Sequence, residues 1–449
     1  MSELYSFTTH TFTNAGVSGR TGPTIDQVKT AYSGVTWAQN SDYLYMTAAV
    51  GIQQWKVPAT GTYTITAAGA QGGSSYGTGG KGARMTGTFS FTQSDIISIL
   101  VGQQGGVNSS SCNAGGGGGS FVWKLSDSTL LIAAGGGGGN GDDGTTNNNG
   151  TGTAGTSTAG ANGYGATAGG SGWLSNGTSG LDGNNTGCQS PLNGGAGGYP
   201  PPSNGTTVGN GGFGGGASAS GQPCSNGGNG GGGGYSGGAG PSGDTTTVKG
   251  GGGGSYNSGT SQSNASGENT GHGYVIITRA QITATLTATQ TIFYRKFVSG
   301  ATVSFDSNNN ISSNAGTVSR TYASNDTAIV TIPSSGTASA TIAGSGKVTI
   351  KVTQPATTNY TEVIENALIT IVVVGQGKTY SSETFPSSFD LTGTDLTGTI
   401  FNGCTFTETN LFGITINSST NFSNSTLTRI KSGKIIGKTS LLPEGFTMI

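Results

Sequence analysis

The chain has 449 residues, of which 88 are glycine, only 8% are charged, and the formal net charge is −1. So few charges produce no field that would steer nucleic acid or an anionic membrane surface to the protein. No apolar run is long enough to span a membrane, and the start MSELYSFTTH lacks the basic and apolar parts of a secretory signal. We therefore expect an all-β protein of two to four domains, with no nucleic-acid partner and no membrane span.

The first region, 1–280, opens with alternating strands. They are predicted in GTYTITAAGAQGG (61–73), ARMTGTFSFT (83–92) and DIISILVGQQGG (95–106), and HGYVIITRA (272–280) closes the region. Glycine dominates the sequence between them, which predicts an insertion in one β domain. Either this insertion is a disordered linker, or it forms polyglycine II, in which extended threefold helices bond side by side. We favour an ordered bundle, because few charges are present to solvate a loose coil.

Four segments of this region carry a resemblance. GIQQWKVPATGTYTITAAGAQGG, NAGGGGGSFVWKL, LLIAAGGGGG and GHGYVIITR resemble the glycine-rich domain of the anaplastic lymphoma kinase and leukocyte tyrosine kinase receptors. The pattern is also similar to bacterial and giant-virus surface proteins. The resemblance covers about Phe7 to Arg279 and implies a TNF-like β-sandwich with an inserted polyglycine II bundle. No kinase motif or membrane span follows, so the receptor's own function is excluded.

Aromatic residues interrupt the glycine-rich sequence. Either they form contacts for a host glycan or receptor, or they pack between the glycine helices and the sandwich. The candidates for surface contacts are Tyr164, Trp173, Tyr199, Phe213 and Tyr235.

Few residues in the chain suggest catalysis or metal binding. The two histidines, His10 and His272, lie in no nucleophile motif, and we expect exposed or capping roles for them. Carboxylates are sparse in the glycine-rich stretch, and we expect them to lie in turns and loops rather than as a catalytic pair: Asp127, Asp142, Asp143, Asp182, Asp244 and Glu268. We expect no enzyme activity and no cofactor.

Two stretches resemble calcium sites only in part. Gly138–Asp143 matches the start of a calcium-binding nonapeptide, but it occurs once, and such a site needs stacked copies. Asp306–Ser312 lacks the glycine that a calcium loop requires at its sixth position, which favours a polar turn.

Four cysteines are distributed between the first and last regions. A disulfide is possible among Cys112, Cys188 and Cys224 in an oxidising medium, and the absence of any CxxC argues against zinc.

The second region, 281–375, shows repeated two-residue alternation between Gly and Ser turns, as in ITATLTATQTIFYRKF. Short strands over about ninety residues predict a β-sandwich. TYASNDTAIVTI and GSGKVTIKVTQPATTNY resemble bacterial immunoglobulin-like repeats, which implies a spacer or adhesion module.

The third region, 376–449, has an apolar residue at every fifth position. This period predicts four-sided coils whose central residues point inward, and it resembles the right-handed β-helix of pentapeptide-repeat proteins. The predicted centres are Leu391, Leu396, Phe401, Phe406, Leu411, Ile416, Phe422 and Leu427. The predicted small inward positions are Thr394, Thr399, Cys404, Thr409 and Ile414. The period predicts about two coils, followed by a closing segment.

These features predict a non-enzymatic surface or structural protein of a large DNA virus particle. We expect it to sit on the virion surface, to be held by its C-terminal part on other capsid proteins or on itself, and to expose the glycine-rich head. The alternative is a bacterial or phage adhesin, outside or on the cell surface, that binds a glycan or receptor.

Overall fold

The computed structural model describes residues 3–46, 50–75, 77–107, 113–151, 168–178, 187–199, 209–219, 228–241, 249–306, 310–333, 336–357 and 359–447. These residues fold almost entirely into β-structure, which confirms the all-β prediction. The chain divides into two compact units, Met1–Ala280 and Gln281–Ile449. Among the described residues, no helix has the length and apolar character needed to cross a bilayer.

The first unit contains two antiparallel sheets and two short helices. The helices are α1 (Ile25–Ala31) and α2 (Thr36–Gln39), and Thr24 and Gln27 form a capping box at the start of α1. The strands are β1 (Thr9–Phe12), β2 (Leu44–Tyr45), β3 (Ile52–Lys56), β4 (Gly61–Ala68), β5 (Gly82–Phe91), β6 (Ile96–Leu100), β7 (Ser120–Lys124), β8 (Leu130–Ala134), β9 (Tyr256–Asn257), β10 (Thr260–Asn269) and β11 (Tyr274–Arg279).

One sheet has the strand order β1-β11-β4-β5-β10, and the other has the order β2-β3-β6-β7-β8-β9. Their inner faces share one apolar core, in which the rings of Trp55 and Tyr63 are fully buried. The alternation along β4 places Tyr63 and Ile65 in this core and leaves Thr62 and Thr64 on the outer face.

Three connections of this unit, β4–β5, β6–β7 and β8–β9, are glycine-rich and bond to one another. We call their described segments the glycine array, which comprises 69–75, 102–106, 114–119, 135–144, 209–217, 228–239 and 250–255. Successive residues of the segment 114–119 donate backbone hydrogen bonds to different neighbouring segments. Gly115 and Gly118 donate to the first, at Gly106 and Gln103. Gly116 and Gly119 donate to the second, at Ala217 and Gly214, and Gly117 donates to the third, at Gly137. The neighbour repeats at every third residue, which is the order that polyglycine II requires.

Close approach explains why glycine occupies the centre of this array. A Cβ added to Gly117 would lie 2.4 Å from the carbonyl oxygen of Ala70, and one added to Gly137 would lie 1.8 Å from that of Gly80. No other residue type fits at such distances, because any side chain would force the backbones apart. The described segments of the insertion thus make the close backbone contacts that the favoured ordered bundle requires.

The second unit begins with short strands that form a sandwich. They are β12 (Leu286–Ala288), β13 (Ile292–Lys296), β14 (Thr302–Ser304), β15 (Ile311–Ser313), β16 (Thr321–Ser324), β17 (Val330–Thr331), β18 (Ser339–Ile342), β19 (Gly346–Gln354) and β20 (Val363–Val374). A four-stranded sheet, β13-β20-β19-β16, faces a three-stranded sheet, β14-β18-β17, across a core that contains Phe305, Ile350 and Ile371.

The end of the second unit forms parallel coils. Short strands β21 (Thr379–Ser381) and β22 (Ile400–Asn402) pair in parallel, as do β23 (Thr405–Thr407) and β24 (Thr426–Thr428). Single bridges continue the columns, for example Asp395 to Thr415 and Thr415 to Ile436. Most columns join residues of three successive coils, and the column that begins at Thr379 continues through Ile400 and Asn421 to Leu441. The sequence predicted about two coils. The sequence predicted Phe422 and Leu427 as centres in the third coil, whereas its later apolar residues Ile430 and Ile435 are out of phase with the five-residue period.

The inward positions of the first two coils are buried, as the period predicts. Leu391, Leu396 and Phe406 have no exposed surface, and the same holds for Thr399, Cys404 and Thr409 at the small positions. Small polar side chains bond to the preceding coil: the Thr399 hydroxyl donates to the Gly375 carbonyl at 3.0 Å. Such bonds do not reach every inward position, because the buried hydroxyls of Thr394, Thr397 and Thr409 have no hydrogen-bond partner among the described residues.

The sandwich and the coils share one apolar cluster, so the second unit has no solvated boundary at 375/376. Val372 and Val374 of β20 pack with Tyr380 and Leu391 of the first coil. Polar contacts join the same parts, because the buried Glu383 accepts a hydrogen bond from Tyr294 at 2.9 Å and pairs with Lys347 at 2.7 Å.

Candidate binding surfaces

The four described contact aromatics lie in three kinds of environment. Trp173 and Phe213 are buried, with exposed fractions of 6% and 1%. Tyr235 is half-buried and stacks on Tyr256 with ring centroids 4.9 Å apart. Tyr199 is 43% exposed, and the Arg20 guanidinium lies 5.4 Å above its ring. Tyr164 lies outside the described residues.

Trp173 and Phe213 attach the glycine array to the second sheet. Trp173 packs against Trp123 at 5.5 Å and against Phe121 at 6.1 Å between ring centroids. With Phe213 and Leu100 they form a separate apolar cluster on the outer face of β3, β6, β7 and β8. For Trp173 and Phe213 the surface-contact alternative is therefore wrong and the packing alternative is confirmed. Glycine backbone offers no apolar side chains, so these aromatic residues of the β8–β9 connection supply the packing.

The first unit has a groove of about 520 Å³, and Phe213 forms part of its lining. The groove is also lined by the exposed side chains of Val50 (54%) and Leu192 (45%) and by the side-chain amides of Gln189 and Asn193. No sequence motif marks this groove, because its lining comes from separate loops. The lining has no ionisable side chain, so the groove suits a neutral ligand and offers no group for acid–base chemistry.

Three described carboxylates of the glycine-rich stretch, Asp127, Asp143 and Glu268, have structural partners. Asp127 accepts from the backbone N–H of Thr129, and this bond lowers the pKa of the Asp127 carboxyl. Asp143 accepts from the Lys81 N–H at 2.7 Å, and Glu268 pairs with Arg84 at 2.9 Å. Asp182 and Asp244 lie outside the described residues.

The two calcium-like stretches are also occupied by protein contacts. In Gly138–Asp143, the Asn140 side chain bonds to Ser75 and Asn229, and the Asp142 N–H donates to Gly250. The Asp306 carboxylate accepts from the Ile311 N–H at 2.9 Å, and it also contacts Tyr322 and Arg320. Across the described residues, no three His, Cys, Asp or Glu side chains are grouped to hold a metal ion.

Neither histidine is exposed, and of the two His272 has the predicted capping role, because it accepts from a backbone N–H. His10 is half-buried, with its ring edge-on to Tyr32 at 4.5 Å and to Trp37 at 5.0 Å. Burial lowers its pKa to about 4. His272 accepts a hydrogen bond on Nδ1 from the Gln104 N–H, and partial burial lowers its pKa as well. Both rings are packed neutral groups in the first unit.

Cys188 is an unpaired, buried thiol, and burial raises its pKa to about 12. Cys112 and Cys224 lie outside the described residues. Cys404 is a free thiol in the core of the coils, as the five-residue period predicts.

Comparison with known proteins gives partial matches. The pentapeptide-repeat family (8 copies) matches residues 389–413, which confirms the repeat in the third region. A stretch of 101 residues, 21% of this chain, is 37% identical to the leukocyte tyrosine kinase receptor of Mus musculus. The matched stretch covers only 11% of that receptor.

Proposed function

We propose that this chain is a non-enzymatic structural protein on the surface of a large DNA virus particle. In this proposal the pentapeptide coils attach to other capsid proteins or to a second copy, and the glycine-rich unit is displayed. The glycine array supports such a role, because it builds a large hydrogen-bonded body that carries almost no charge. The ion pairs and shared core of the second unit support it too, since they stiffen the sandwich and coils as one element.

The main support for attachment through the coils is the exposed apolar surface of the third coil. Leu391 and Leu396 in the first coil are fully buried, whereas Leu427, Ile430 and Ile435 are only partly buried. Next to them Ile436 is 61% exposed. Exposed apolar side chains beside backbone that can extend a parallel ladder are typical of a docking surface.

Mass spectrometry of purified particles tests the proposal, followed by incorporation of two variants. We expect Ile436→Glu to reduce incorporation strongly, because it places a charge in the docking surface. Ile364→Glu is the matched control, since Ile364 is an exposed isoleucine (44%) on strand β20 of the sandwich. Equal incorporation of both variants would contradict attachment through the third coil, and absence of the chain from particles would contradict the virion role.

The partial similarity to a receptor favours a second candidate, a bacterial or phage adhesin. In that case the glycine-rich unit binds a glycan or receptor, and the second unit is a spacer. Binding of the purified protein to host cells, with no association with particles, would favour this alternative.

A further inference from the structure

Threonines are aligned across the outer face of the first sheet. Thr278 lies opposite Thr9 of β1 and also opposite Thr64 of β4. Thr64 lies opposite Thr88 of β5, and Thr88 lies opposite Thr260 of β10. Directly paired residues share a face of the sheet, so every strand contributes one threonine to a single line across the strands. We call this line the threonine row: Thr9, Thr278, Thr64, Thr88 and Thr260.

A second line runs beside the threonine row, two residues along β1, β11, β4 and β5 and three along β10, where the register shifts. It contains Thr11, Ile276, Thr66, Thr86 and Ser263. Neither line contains a charged residue. The ends of the threonine row are exposed, and its central residues Thr64 and Thr88 are half-buried, as expected for side chains in the middle of an open sheet face.

Strand propensity explains single threonines, but it does not explain their register. Threonine is favoured in any strand, and the second unit also has a paired Thr349 and Thr370 between β19 and β20. Hydroxyl contacts such as Thr9–Thr278 and Thr66–Thr86 favour individual cross-strand pairs, but neither propensity nor pairing selects one unbroken line across all five strands. The row therefore points to a ligand that runs across the strands and repeats with their spacing.

The geometry specifies that ligand. Neighbouring strands are about 4.8 Å apart, so the row offers a hydroxyl at each such step over about 19 Å. This step is close to the advance per sugar of an extended β-linked pyranose chain. Each threonine presents a hydroxyl that both donates and accepts, and a methyl group for the apolar face of a sugar ring. The paired Thr9 and Thr278 hydroxyls, 2.9 Å apart, keep further accepting capacity.

We propose that the threonine row binds a single chain of a neutral, β-linked polysaccharide. The absence of charge from both lines matches a neutral polymer and disfavours an acidic one. Sheets twist by about 20–25° per strand, so a five-stranded face cannot match a flat crystal surface such as ice. A single flexible chain can follow the twist. This binding is independent of whether the chain belongs to a particle or acts as an adhesin, because the row lies within one folded unit.

Calorimetric titration of the purified full-length protein tests the proposal, with cellohexaose, laminarihexaose and chitohexaose as probes. We expect measurable binding of at least one of them, and at least a tenfold loss of affinity in Thr64→Val/Thr88→Val. Valine keeps the shape and strand preference and removes only the hydroxyl. The matched control is Thr349→Val/Thr370→Val, which alters the same kind of cross-strand pair in the second unit and should bind as the wild type does.

Thr9→Val/Thr278→Val, at the end of the row, provides a second test if the central variant fails to fold. It should weaken hexasaccharide binding in the same direction. Three results would overturn the proposal: no binding of any of the three probes, binding unaffected by the row variants, or inhibition of ice growth without sugar binding.

Discussion

Gly137→Ala is expected to destabilise the first unit far more than an ordinary surface substitution. Gly137 lies in the middle of the glycine array, where its N–H donates to Ala70 at 2.9 Å and its carbonyl accepts from Gly117 at 2.8 Å. The new Cβ would lie 1.8 Å from the Gly80 carbonyl oxygen and 2.2 Å from its carbon. Because the clash is with backbone on a neighbouring segment, no side-chain rotation can relieve it.

The magnitude follows from the backbone shift that this clash requires. Overpacking of a well-packed interior costs about 1–3 kcal/mol. Weakening of the two hydrogen bonds at Gly137 adds about 1 kcal/mol each. The lower entropy of the unfolded Ala variant offsets about 0.4–1 kcal/mol. The free energy of unfolding should therefore fall by about 2–4 kcal/mol, which corresponds to a Tm lower by about 5–15 °C for a domain of this size.

Differential scanning calorimetry of the full-length chain measures this change in the transition of the first unit. Gly34→Ala is the matched control, because a Cβ at Gly34 meets no atom within 4 Å. It should leave the Tm within about a degree, as surface substitutions usually do. If Gly137→Ala and Gly34→Ala have the same Tm, the close packing of the array is refuted. Gly117→Val and Gly137→Val should lower the Tm further still.

The remaining predictions concern hydrogen bonding and buried ionisable groups. In hydrogen exchange, amides of the glycine array should be protected well above random-coil rates; exchange at those rates would contradict an ordered array. Glu383→Ala should lower the stability of the second unit by about 1–3 kcal/mol in urea unfolding, because it removes the partner of Tyr294, whereas the exposed Glu362→Ala should not. Burial lowers the pKa of His10 to about 4, below its unfolded value of about 6.5. The unfolded chain therefore takes up a proton at His10 before the folded chain does, so the free energy of unfolding is highest above about pH 6.5 and decreases as the pH falls towards 4. The free energy of unfolding measured in urea should therefore decrease less between pH 7 and pH 4.5 in His10→Phe than in the wild type. An equal decrease in both proteins would argue against a neutral buried His10.

The sequence by itself determined the class of structure and much of the periodic cores. Two-residue alternation placed β4, β5 and β11, and the five-residue period identified the buried centres of the first two coils. These patterns are visible because a regular element exposes and buries side chains with a fixed period. Glycine runs indicated close backbone packing for a similar reason, since only glycine lacks the Cβ that would prevent it.

Only the tertiary structure decided which residues meet and which remain accessible. Trp173 and Phe213 looked like surface aromatics in a polar sequence, but folding places them against the second sheet. The third coil and the register of Thr9, Thr278 and Thr64 depend on main-chain pairing between distant segments. Backbone hydrogen bonds are the same for every residue type except proline, so such pairing leaves little trace in the sequence. Side-chain periodicity is encoded locally, whereas the partners of each strand are set by the whole folded unit.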